Sequence, residues 1–166
     1  MRPLRGVASD ITLTTRPGEI EHLYREQGDR MWRALLAYAG NPDVASDALA
    51  EAFVQAIARG DGLRDPASWI WTASFRIAAG ELKRRGHVVA LIDLDIPYEL
   101  ADPVPHLIEA LAAISPHQRL AIVMHDYADR PTDEIARVLG VTRPTVHVHL
   151  SQGRKRLRDL LEPTDE

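Results

Sequence analysis

Residues 132–161 read TDEIARVLGVTRPTVHVHLSQGRKRLRDLL, and this stretch decides the fold. Two short helical patterns meet there across a tight break. Ile135, Ala136 and Leu139 make an apolar stripe on the first. Gly140 follows where a helix ends best on a residue tolerant of positive φ, and Val141 can plug the corner. Thr142 suits the N-cap of the second helix, with Pro144 in its first turn, where a missing N–H costs little. In that helix Val146, Leu150, Leu157 and Leu161 recur at four- and seven-residue spacing and predict its buried face. From 143 to 158 there is no acidic residue, while Arg143, Arg154, Lys155, Arg156 and Arg158 are basic. A small residue at the crossing, a glycine turn and a basic second helix define helix-turn-helix geometry. Arg143, Thr145, His147, Val148 and Ser151 are short enough, or early enough in the helix, to reach base edges in a major groove. Arg154, Lys155 and Arg158, further along, suit phosphates. The plainer alternative is a two-helix hairpin with a solvated basic face.

Composition bounds the rest. The chain has 166 residues, 20 Lys plus Arg against 24 Asp plus Glu, a net charge of −4 and no cysteine. An acidic balance argues against indiscriminate coating of nucleic acid, but a basic helix still acts within a Debye length of about 10 Å. Without cysteine there are no disulfides and no thiolate metal sites, and a reducing cytoplasm is the expected compartment. No apolar run approaches the roughly 20 residues that span a bilayer, and the N-terminus lacks a signal-peptide pattern.

The expected fold class is all-α, as two small helical domains. Residues 1–16 have no sustained period and read as an arm. A helix opening at Pro17-Gly18 carries Ile20, Leu23, Tyr24, Met31, Trp32, Leu35 and Leu36 on one face and stops at Gly40. Asn41 caps the next, with Pro42 at N1, and Val44, Ala45, Ala48, Leu49, Ala52, Phe53, Ala56 and Ile57 form its apolar face. Asp43, Asp47 and Glu51 lie opposite, which as surface carboxylates also suit the helix dipole. After a Gly60-Asp61-Gly62 loop, Asp65 caps a third helix whose inner stripe is Trp69, Ile70, Ala73, Ile77 and Leu82. Trp71, Phe75 and Arg76 fall off that stripe, and Lys83, Arg84 and Arg85 end it. Aromatics beside basic residues invite a nucleic-acid reading, since bases stack on aromatic faces; equally, Trp71 and Phe75 can pack on the first helix. Residues 87–104, rich in proline and acid, break the helical pattern and read as a linker with at most a short strand-like segment. Leu107, Ile108, Leu111 and Ile114 begin another helix, and Ser115-Pro116 caps the one before the helix-turn-helix. The domains are thus 17–86 and 105–162.

Catalytic and metal chemistry are not expected. His147 and His149 lie about 200° apart around a helix and cannot chelate one ion. His125, Asp126 and Asp129 have no nucleophile, phosphate loop or third ligand beside them. No cofactor is expected.

From about residue 17 to 162 the chain resembles the extracytoplasmic-function group (group 4) of the sigma-70 family of bacterial RNA polymerase sigma factors. LYREQGDRMWRALLAYAGNPDVASDALAEAFVQAI is similar to the family's first block, and SWIWTASFRIAAGELKRR to its promoter-melting block. Ile114-Ser-Pro-His-Gln-Arg119 and Asp133–Val141 are similar to its LSPxQR and DEIAxxLGV motifs. The sequence departs at Ala50, where Gln is common, at Phe75-Arg76, where Arg-Asn is usual, and at His147, Val148 and His149, usually basic or serine. The resemblance implies a sigma factor whose C-terminal helix reads the −35 element. Asp47, Glu51 and Phe53 would meet the clamp helices of the largest subunit of core RNA polymerase. The loop carrying Asp61 and Arg64, with Trp69, Trp71, Arg76, Lys83 and Arg84, would engage the −10 strand. Promoter DNA, core polymerase and in some cases an anti-sigma factor are the implied partners, and no membrane insertion is expected. The runner-up is a stand-alone helix-turn-helix regulator that does not bind polymerase. Core-polymerase pull-down separates the two.

Overall fold

The computed structural model of the chain describes residues 15–86 and 105–162. Expectations for most of the arm and for the linker fall outside the described residues. The described residues form seven α-helices: α1 (Thr15–Ala39), α2 (Pro42–Arg59), α3 (Pro66–Arg84), α4 (Pro105–Ala113), α5 (Pro116–Ile122), α6 (Thr132–Leu139) and α7 (Arg143–Leu161). A 3₁₀ turn, Gly60–Gly62, joins α2 to α3, and a π-helical turn, Val123–Tyr127, continues α5. No helix among them is long and apolar enough to cross a membrane.

The caps follow the sequence. Gly40 has φ 64, and the Asn41 side chain accepts from the amides of Asp43 and Val44 at 2.9 and 3.2 Å. Asp65 accepts from the Ser68 amide at 3.0 Å. Ser115 and Gln118 form a reciprocal capping box, which satisfies two otherwise orphan donors. Gly140 closes α6 at φ 67, and the Thr142 hydroxyl accepts the Thr145 amide. Each such cap contributes about 1 kcal/mol. α1 starts at Thr15, two residues before the Pro17 start read from the sequence.

α1, α2 and α3 pack pairwise around Met31, Leu35, Ala48, Ala52, Ile70 and Phe75, all buried. α4 to α7 surround Leu120, Met124, Ile135, Val146 and Leu150. Gly153 is buried where α7 crosses α5; a Cβ there would lie 2.7 Å from Ile122 Cδ1 and 3.1 Å from Gln118 Cβ. Leu161, expected on the buried stripe of α7, is 44% exposed because the helix outruns the elements beneath it. Ile57 likewise faces out at the end of α2, 54% exposed, rather than joining the apolar face.

The two sets of helices touch along a seam formed by α1 with α4, α5 and the π turn, and by α3 with α6. Glu134, only 5% exposed, accepts from Nε and Nη2 of Arg130 at 2.8 and 2.9 Å. It also accepts the Ser68 hydroxyl across the seam. Arg30 on α1 reaches the Tyr127 carbonyl at 2.6 Å and the Asp129 carboxylate at 2.8 Å.

Candidate nucleic-acid interface

α7 offers the first surface. Its inner stripe is Val146, Leu150, Gly153 and Leu157, buried against α5 and α6, and most other positions face outward. His147, Val148, Ser151, Lys155 and Arg158 are exposed, and Thr145 is half-buried, with its hydroxyl 2.9 Å from that of Thr142. Two of the expected arginines already have intramolecular partners. Arg143 is ion-paired with Asp133 on α6. Arg154 Nε donates to Asp126 at 2.9 Å, and its Nη2 lies 3.2 Å from His125 Nδ1. The hydrogen bonds from Arg154 hold the Asp126 carboxyl below its ordinary range and outweigh the partial burial that pushes it up; His125 adds to the lowering. His149 turns inward, its ring edge-on to His117 at 5.4 Å. Burial, then the neighbouring His117, holds its pKa below that of a free histidine. The two histidines of His147-Val-His149 thus diverge. Among the described residues no group of three or more His, Cys, Asp or Glu is placed to hold a metal ion.

The second surface is an open cavity of about 550 Å³ between the 3₁₀ turn, α3 and α6. It brings together Arg64, Trp69 and Arg76, as expected, and adds Arg59 and Arg137. The Arg59 guanidinium stands 4.6 Å from the centre of the Trp69 ring, within cation–π range. Four arginines and one partly open indole in a concave site suit an anionic strand with a stacked base. Arg59 carried a signal in the sequence, a cation ending α2 beside a glycine turn. Arg137 carried none, because it comes from the other set of helices.

Trp71 is absent from this site. It is 1% exposed, its Nε1 donates to Gln27 on α1 at 3.1 Å, and its ring stacks on Phe75 at 6.3 Å. Burial beneath α1 withdraws it from any contact with a DNA strand, and Phe75, fully buried, with it. Lys83 and Arg84 are exposed at the far end of α3; Arg84 and Arg85 both pair with Glu81, and those hydrogen bonds lower its carboxyl pKa. Asp61 is exposed on the 3₁₀ turn.

A third surface lies across α2. Asp47 and Glu51 are exposed and line a groove of about 450 Å³ with Val54, Ile77, Glu81 and Arg84. Phe53, expected beside them, is buried instead, edge-on to the Tyr24 ring at 5.1 Å. It lies on the core side of α2, so it can support this face but not contact a partner on it. Exposed Val54, which periodicity did not single out, adds apolar area there.

Comparison with known proteins is consistent along most of the chain. Residues 106–157 match the family model described as sigma-70, region 4. Over 85% of the chain, 28% of residues are identical to the ECF RNA polymerase sigma factor SigE of Mycolicibacterium smegmatis, over 61% of that protein; the chain spans about three fifths of the length of this relative. RNA polymerase sigma factor CarQ of Myxococcus xanthus is 25% identical over 85% of the chain and 88% of its own length. In fold, the chain is similar to the sigma factor RpoE of Bartonella quintana, solved in complex with the anti-sigma factor NepR. The TM-score is 0.64 at 18% identity, covering 87% of this chain and 99% of that one.

Proposed function

Since this chain belongs with the extracytoplasmic-function sigma factors of the sigma-70 family, we propose that it binds core RNA polymerase and directs promoter-specific initiation. The observation that carries the reading is the helix-turn-helix of α6 and α7, which coincides with the region 4 match at 106–157. The outward residues of the early turns of α7 (Arg143, Thr145, His147, Val148 and Ser151) read base edges of a −35 element, and Lys155 and Arg158, joined by Arg154, follow phosphates.

The arginine-lined cavity around Trp69 takes an unpaired base of the −10 element, with Arg59, Arg64 and Arg76 on the adjoining phosphates. Removing a base from the stack costs a few kcal/mol, which stacking and cation–π contacts offset. Asp47 and Glu51, with exposed Val54 beside them in the same groove, make the contact face for polymerase. An anti-sigma factor of the kind seen with the Bartonella RpoE is a further partner in this reading. The role requires positioning and electrostatics, with no catalytic group of the chain's own.

Run-off transcription with core polymerase tests the proposal directly. The wild-type chain should support initiation from a subset of promoters. Asp47→Lys with Glu51→Lys should abolish retention on core polymerase while the helical CD spectrum stays intact. Retention of the double variant at wild-type affinity would remove α2 from the interface. Arg59→Ala and Trp69→Ala should reduce permanganate-detected melting more than closed-complex binding, and Trp71→Phe should leave that ratio unchanged.

A further inference from the structure

Arg119 is the most unusual charge in the molecule. It is 4% exposed, at the seam between the two sets of helices, and among the described residues it makes no ion pair. Nη1 donates to the Leu111 carbonyl at 3.3 Å. The guanidinium lies 5.7 Å from the centre of the Tyr38 ring. Nε is closed off without any hydrogen-bond partner. Nη2 makes no hydrogen bond among the described residues and is not closed off in the same way. Burial lowers the Arg119 pKa, with the Tyr38 hydroxyl opposing, and burial raises that of Tyr38. A buried guanidinium normally has an anion, because desolvating the charge costs several kcal/mol.

The space beside it has the shape for one. A cavity of about 280 Å³ opens between Tyr38, Ala79 and Leu82 on one side of the seam and Ala112, Ile114 and Arg119 on the other. The side chains that line it are aliphatic apart from those of Arg119 and Tyr38. The open Nη2 can donate a charge-assisted hydrogen bond to an anionic oxygen, such as that of a carboxylate. The aliphatic walls match a short hydrocarbon tail.

We propose that this cavity binds a small monocarboxylic acid with a short aliphatic tail, its carboxylate on Arg119 and its tail between Leu82 and Ile114. The ligand touches both sets of helices at once, so binding favours the packed seam over its separation. The site shares no residue with the DNA and polymerase surfaces, and it stands whether or not the chain is a promoter-specificity subunit.

Isothermal titration calorimetry on the full chain tests this with sodium acetate, propionate and butyrate at matched ionic strength, and with butanol, butylamine, phosphate and sulfate as comparators. Butyrate should bind one to one, and affinity should rise about fourfold for each methylene from acetate to butyrate. Butanol and butylamine should bind at least tenfold more weakly. Arg119→Met, which removes the charge but keeps the length, should weaken butyrate at least tenfold. Ala79→Leu fills the cavity from the opposite wall with Arg119 intact, and should do the same. It decides the matter if Arg119→Met does not fold. Small-angle scattering should show butyrate narrowing any spread of conformations in the wild type and not in Ala79→Leu. The proposal fails if butyrate does no more than chloride, if phosphate or sulfate binds as tightly as butyrate, or if both folded variants bind like the wild type.

Discussion

Arg154 shows how one side chain can serve two partners. Its pair with Asp126 joins α7 to the π turn across 28 residues of sequence, on the surface that should follow phosphates. Exposed pairs of this kind contribute about 0–1 kcal/mol. A double-mutant cycle with Asp126→Asn and Arg154→Ala should therefore give a coupling below about 1 kcal/mol in thermal melts. Arg154→Ala should weaken binding to every DNA sequence alike, whereas Arg143→Ala should relax the preference at one base position; an unchanged selected sequence would refute the second assignment. The Asp126 carboxyl is depressed in the folded state, so its contribution is full above the unfolded value of about 3.9 and is lost as pH falls through the folded one. His149 has the same sign at higher pH. Its folded pKa is lowered, so stability falls as pH drops below about 6.5, and His149→Gln should flatten that limb. The sequence made the caps and the basic face of α7 legible at this scale, but it exchanged the roles of two tryptophans. Periodicity assumes one buried stripe per helix, and α3 is covered by both α1 and α2. The wider buried arc takes in Trp71 and Phe75, while Trp69, within the predicted stripe, ends beside the cavity.

Among the elements, α7 depends most on a position without a side chain. Gly153 lets it approach α5 until a methyl group would meet Ile122 and Gln118. Alanine there is a near balance, since the gain of about 1 kcal/mol in helix propensity opposes a contact that the tip of Ile122 can relieve. Leucine cannot be accommodated that way. Gly153→Leu should cost about 1–3 kcal/mol of stability by overpacking and should tilt α7, weakening DNA binding even though no DNA-facing residue changes. A denaturant melt with an unaltered midpoint would show that α7 does not need this approach. Helix existence, helix order and most ends follow from glycine, proline and cap residues near them in sequence. The π turn does not: nothing in Val123–Tyr127 departs from an ordinary amphipathic pattern. The extra residue per turn serves tertiary contacts, since the turn packs on α1 and offers the Tyr127 carbonyl to Arg30.

For the molecule as a whole, the seam was the part least visible in the sequence. A tether between two helical patterns says nothing about whether they touch, and Arg30 and Asp129 are 99 residues apart. Glu134 is the most buried carboxylate there. Burial pushes its pKa up, but the hydrogen bonds from Arg130 and Ser68 together hold it below the ordinary value. Its contribution is therefore present above about 4.3 and is lost as pH falls through the folded value. Arg130→Ala leaves the carboxylate buried without its cation. It should cost about 3 kcal/mol and move the acid limb of the stability curve to higher pH; melts at pH 7 and pH 5 check both. On the proposed reading, the seam also sets a reach. A compact chain of this length has a radius of gyration of about 15 Å, hence a span of roughly 40 Å. Promoter elements centred near −35 and −10 are about 25 base pairs apart, roughly 85 Å of duplex at 3.4 Å per pair. Residues 87–104 could add at most about 60 Å of contour, and only once α6 has left α3. With the seam closed, the molecule can span one element or the other. Gripping both is a stretch that requires the seam contacts, Ser68–Glu134 and Arg30–Asp129 among them, to open, and the distance between dyes on α2 and α7 should lengthen in the same step that places the second element.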